Sequence, residues 1–160
     1  MADSDADADA DYRVLVSCPL VLDAADDYAD VFDEYGDQAT SDLGFEAEPN
    51  PDMTWSQYME VARWITENVP DDMVPYGTGH MAAQHQSLAN EFEMIQWSFG
   101  GTQLEGFDGK DPILPDDVSA GFTDDASMQA AEFYQELVND VAHPASTTWD
   151  WGGVAQAFAN

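Results

Sequence analysis

The sequence contains almost no basic residues. Three Lys and Arg stand against 33 Asp and Glu in 160 residues, for a formal charge of −30. Nucleic acids and anionic membrane surfaces are held by clusters of Lys and Arg, so neither is expected as a partner. The single cysteine, Cys18, excludes an internal disulfide framework and a thiolate metal cluster. No run of about 18 apolar residues exists, so no insertion into a membrane is expected. No internal repeat is visible. The motifs of several common chemistries are also missing: there is no GxSxG elbow, no phosphate-binding loop and no GxGxxG after a strand. His80 and His85 are five apart, on different faces of a helix, where a zinc-binding HExxH pair needs a spacing of four. His143 is isolated beside Pro144. Surface or capping roles are expected for all three. Glu91 and Glu93 form one of many acidic pairs and carry no signal of their own. These absences predict no catalytic residue, no metal and no cofactor, and hence no enzyme.

What is present argues for a folded chain. Hydrophobic residues make up 44% of the sequence and aromatics 12%, with five Trp. Chains that stay disordered are poor in aromatics. The length suits one domain. Asp outnumbers Glu and the only lysine is Lys110, a composition that resembles halophile proteins. In molar salt the Debye length is about 3 Å, which screens the self-repulsion of such a surface. The acidity therefore says more about the solvent than about a ligand.

Residues 1–12 form an acidic low-complexity tail, expected to be disordered. Its alternating Asp residues do not make a calcium loop: counted from Asp3, the sixth and twelfth positions are Ala8 and Val14, where Gly and Glu are needed. Residues 13–18 (RVLVSC) read as a short strand before Pro19. Leu15-Val16-Ser17-Cys18 is close to a lipid-attachment motif, but no apolar stretch precedes it. Tyr28, Val31, Phe32 and Tyr35 predict a helix over 23–35, stopped by Gly36. Residues 38–53 read as a polar connection. Thr54-Trp55-Ser56-Gln57 is a capping box, and Trp55, Tyr58, Met59, Ala62, Ile65 and Val69 continue as an apolar stripe. Residues 74–78 suggest a short strand. A third helix is expected over about 82–99, closed by Gly100-Gly101, then a loop over 102–122. Asp124 or Asp125 caps a fourth helix through about Val141. Thr147 or Thr148 caps a last one from Trp149 into Phe158. The fold class expected is mainly α with a few short strands.

Several segments in this order resemble extracellular solute-binding proteins of family 1, the sugar-type substrate-binding components of ABC transporters. Pro51-Asp52-Met53-Thr54-Trp55 resembles the family's P-x-TW helix start. Tyr76-Gly77 resembles its short strand, and Trp97-Ser98-Phe99-Gly100-Gly101 its helix end with a glycine pair. Residues 123–138 (TDDASMQAAEFYQELV) and 149–158 (WDWGGVAQAF) resemble two later helices. Upstream, Val16-Ser17-Cys18-Pro19 and residues 30–36 (DVFDEYG) look like the hinge strand and the helix after it. The resemblance covers about 13–160. It implies a partial lobe of a periplasmic-binding-protein-like (type II) α/β fold: the hinge strand and part of the second lobe, without the first lobe's sheet and ending before the family's G-K-x-A-M strand.

The resemblance also implies a function: binding of a sugar between two lobes and delivery to an ABC transporter permease, at the cell surface. The chain shows no signal peptide, so as it stands it would remain in the cytoplasm. In the family the start of the helix before the glycine pair, here Gln84, His85 and Gln86, faces the cleft. So does the first turn of the last helix, here Asp150 and Trp151. Amides and carboxylates bond sugar hydroxyls, and an aromatic face stacks on the ring. Trp151 fits either cleft or core. Trp149 fits core better, and Trp55, Trp64 and Trp97 are expected in the core. The alternative is a small acidic halophilic helical protein of unrelated fold, acting through an interaction or with no independent function.

Overall fold

The computed structural model describes residues 25–106 and 118–158. The acidic tail, the 13–18 strand and Cys18 lie outside the described residues. The fold is mainly helical, as the periodicity predicts.

Helix α1 (Ala25–Leu43) is longer than expected. It runs through Gly36 because the stripe begun at Val31 continues: Val31 and Ala39 are buried, and Tyr35 and Leu43 pack beside them. A glycine inside a helix costs about 1 kcal/mol, less than the burial of this second half returns. The stop is Gly44 instead, at φ 79°, with its N–H on the Thr40 carbonyl at 2.9 Å.

Helix α2 (Trp55–Asn68) starts at the expected capping box. The Gln57 N–H donates to Thr54 Oγ1 at 3.2 Å, and the Thr54 N–H donates to Gln57 Oε1 at 2.9 Å. This helix has two buried faces. Val61, Trp64 and Ile65 pack on α1 in a first core with Met53, Val69 and Val74. Met59 and Ala62 enter a second core.

That second core is closed by α3 (Gln86–Ser98) and α4 (Asp125–Asp140), which pack on one another. Ile95, Ala130, Tyr134, Leu137 and Val141 are its centre. Asp124 caps α4, accepting from Ser127 N–H at 2.7 Å. The first turn of α4 is tied to the end of α3 through Gln96, whose Nε2 donates to Ser127 Oγ at 2.7 Å and to the Thr102 carbonyl at 3.0 Å. Gly100 closes α3 at φ 83°.

Three further expectations need correction. Residues 102–122 are not all loop: β1 (Leu104–Glu105) and β2 (Ser119–Ala120) pair antiparallel, Leu104 opposite Ala120. The strand expected over 74–78 shrinks to a single parallel bridge between Thr78 and Ala142. Trp97 is 56% exposed rather than core, because the α3 face that meets α4 is the one carrying Leu88, Phe92 and Ile95. On α4, Met128 and Ala131 are exposed.

After α4, a 3-10 turn over Pro144–Thr148 leads to α5 (Trp151–Phe158). The start of α5 is held by Asp150, whose Oδ1 accepts from Gly153 N–H at 3.0 Å, and not by Thr147 or Thr148. Trp149 is partly buried, stacked on His143 with ring centroids 4.6 Å apart.

Candidate functional site

The segment after α2 turns at Gly77 and runs beside the segment after α4. Gly77 has no room for a side chain, since a Cβ there would overlap the Ala62 backbone. Three bonds then zip the two segments together. The His143 N–H donates to the Thr78 carbonyl at 2.9 Å, Ala82 N–H to Ser146 O at 3.0 Å, and Ala83 N–H to Trp149 O at 3.1 Å.

This pairing decides where the expected site residues go. Gln84 and His85 follow directly from Ala83, and Asp150 and Trp151 from Trp149. The two groups, more than sixty residues apart in sequence, are brought side by side. The Asp150 carboxyl is held below its usual range by the backbone N–H of Gly153 above all, with the Gly152 N–H and the nearby His85 side chain adding. Trp151 is 46% exposed, so it is not a core residue. Gln84, His85 and Gln86 are all exposed. His85 also caps α3, accepting from Ser87 N–H at 3.2 Å, as expected of a capping histidine. His143 does the same for the 3-10 turn through Ala145 N–H at 3.0 Å.

Beside this cluster lies a groove of about 410 Å³ between α3 and α4. Leu88, Ala89 and Phe92 line it from α3, Ala131 and Tyr134 from α4, and Gln84, His85 and Gln135 stand at its polar edge. Gln86, Asp150 and Trp151 are outside its lining.

Under the groove is a buried polar relay that the sequence did not announce. The Tyr58 hydroxyl meets Thr78 Oγ1, and Thr78 Oγ1 meets His80 Nε2 at 3.1 Å. His80 Nδ1 meets Glu91 Oε1. Glu91 Oε2 accepts from the Met81 N–H at 2.6 Å and from the Tyr134 hydroxyl at 3.4 Å. A carboxylate can only accept, which puts a proton on Nδ1. In the neutral ring Nε2 then accepts from Thr78, and Thr78 accepts from Tyr58. Every member is satisfied in this direction. His80 is 6% exposed, so for it the surface or capping expectation is corrected. Burial, more than any neighbour, raises the Tyr58 and Tyr134 phenols above their usual range, with the Glu91 charge acting the same way on both.

Hydroxyl, imidazole and carboxylate follow one another here in the order of an acyl-transfer triad. The geometry is not that of an open nucleophile. Thr78 is 5% exposed and does not line the groove. The relay ties α2, α3, α4 and the 78–81 segment together, and only Tyr134 carries it to the groove surface.

Among the described residues, no group of three or more His, Cys, Asp or Glu is placed to hold a metal ion, and no helix is long and apolar enough to cross a membrane. Compared with models of known families, with curated proteins and with solved structures, the chain matches none.

Proposed function

We propose that this chain is the sugar-binding component, or part of one, of a carbohydrate ABC importer, with its helical unit belonging to a lobe of the type II periplasmic-binding fold. It would work at the cell surface, in molar salt, handing its ligand to a permease. One observation carries the reading. Gln84 and His85 are brought beside Asp150 and Trp151, at the edge of an open groove. The amide and carboxylate oxygens can bond vicinal hydroxyls, and the half-exposed indole can stack on the apolar face of a pyranose.

The test is a titration of the full chain with neutral mono- and disaccharides in molar KCl, followed by nuclear magnetic resonance. The site is open on one side, so affinities in roughly the millimolar range are expected, near −4 kcal/mol. Amide shifts should centre on Gln84–Gln86 and Asp150–Trp151. Trp151→Ala should weaken binding by about 1–3 kcal/mol, the range for a stacking aromatic anchor. Shifts elsewhere, or none with any sugar, would overturn the reading.

A second reading, an acidic helical protein that acts through an interaction, draws on exposed apolar residues at the far end of the α3–α4 pair. Trp97, Phe122 and Met128 are each about half exposed. Binding of no sugar, together with self-association abolished by Trp97→Ser, would favour it.

A further inference from the structure

We infer that the ligand of this site is an uncharged glycoside carrying an apolar, ring-sized substituent. The substituent lies in the groove between α3 and α4, while the sugar ring sits against Gln84, His85, Asp150 and Trp151. This deepens the sugar-binding reading above and rests on it.

The groove is continuous with the polar cluster, because Gln84 and His85 belong to both. Its floor is different in kind. Leu88, Ala89, Phe92 and Ala131 offer no hydrogen-bonding group. The one hydroxyl on the floor, that of Tyr134, is already donated to Glu91. A second sugar ring placed there could bond only Gln84, His85 and Gln135, and its remaining hydroxyls would lose water against an apolar surface, which is costly. An apolar ring loses nothing polar and gains burial against Phe92 and Tyr134, whose own rings sit 6.1 Å apart. The volume of about 410 Å³ is within the range of ligand sites and has room for a ring-sized group.

Charge narrows the class further. Among the described residues the one Lys or Arg is Arg63, exposed on α2 and outside the groove. A phosphate or carboxylate on the ligand would meet the Asp150 carboxylate and no Lys or Arg among the described residues, which disfavours sugar phosphates and uronic acids.

The experiment pairs methyl glycosides with the matching para-nitrophenyl glycosides, titrated into isotope-labelled full chain in molar KCl. For the sugar that binds, the nitrophenyl form should bind at least about tenfold tighter, since burying an aromatic ring is worth that much. The Ala89 and Ala131 methyl signals should move with the nitrophenyl form alone. Ala131→Trp, at an exposed position, fills the groove from α4. It should remove the tenfold difference between the two forms. Ala89→Trp does the same from α3, and circular dichroism checks that each variant folds. If methyl glycosides bind and their nitrophenyl forms bind no tighter, the inference is overturned and the sugar site stands. If the advantage survives both Trp variants, the groove is not where the ring sits. If no glycoside of either kind binds, the sugar-binding reading itself falls.

Discussion

Glu91 meets three donors with two oxygens: the Met81 N–H, the His80 ring and the Tyr134 hydroxyl. Glu91→Ala would leave all three buried and without an acceptor. The expected loss is about 2–4 kcal/mol in urea unfolding at molar KCl. Glu91→Gln keeps an acceptor oxygen and should lose about half as much. An alanine variant as stable as the parent would show that the relay holds nothing. The phenols at its two ends add a pH dependence. Folding raises both Tyr58 and Tyr134 above their usual value. The unfolded chain therefore releases these protons first as pH rises. Their contribution is complete below about pH 10 and is lost progressively above it. A melting temperature that holds from pH 9 to beyond about pH 11 would contradict this. Of the three histidines, the two caps were legible because each bonds an N–H two residues on. His80 was not, because the carboxylate that holds its ring, Glu91, lies 11 residues away in sequence. Glu91 looked like any other acid in a chain crowded with them.

Among the elements, two helix starts follow their local signature. The capping box at Thr54 and the capping Asp124 both sit where the sequence put them. The errors fall where tertiary contact decides. Gly36 is a helix stop by local preference, yet the buried Ala39 beyond it extends α1. Strands of two residues have no alternation to read, so the β1–β2 hairpin was invisible. The expected Gln84, His85, Asp150 and Trp151 were named from a resemblance, and no spacing in the sequence links the first two to the last two. Their meeting depends on Gly77, where the chain passes against the α2 backbone. Gly77→Ala would drive a Cβ into the Ala62 carbonyl, which cannot swing away as a side chain can. It should destabilise by about 3 kcal/mol or more and broaden the amide signals of residues 78–85. Ordinary stability in that variant would mean that the two segments do not pair as described.

For the molecule as a whole, the charge of −30 sets the conditions of folding. Between about 0.1 M and 1 M salt the Debye length falls from roughly 10 Å to 3 Å. The melting temperature should rise steadily with KCl over that range, and a flat response would remove the halophile reading. Beneath that surface the two cores are not equivalent neighbours, since α2 contributes to both: Val61, Trp64 and Ile65 to one, Met59 and Ala62 to the other. Consider the partial openings available to the chain. If α1 detaches, α2 keeps its packing on α3 and α4. If the α3–α4 pair loosens, α2 keeps its packing on α1. No sub-global opening frees α2, so its amide hydrogens should exchange with solvent only when the entire fold comes apart. Those of α1, packed on one side, should exchange sooner. The order of protection along the chain would then peak at Val61–Ile65, making a helix near the first third of the sequence the last part of this protein to let water in.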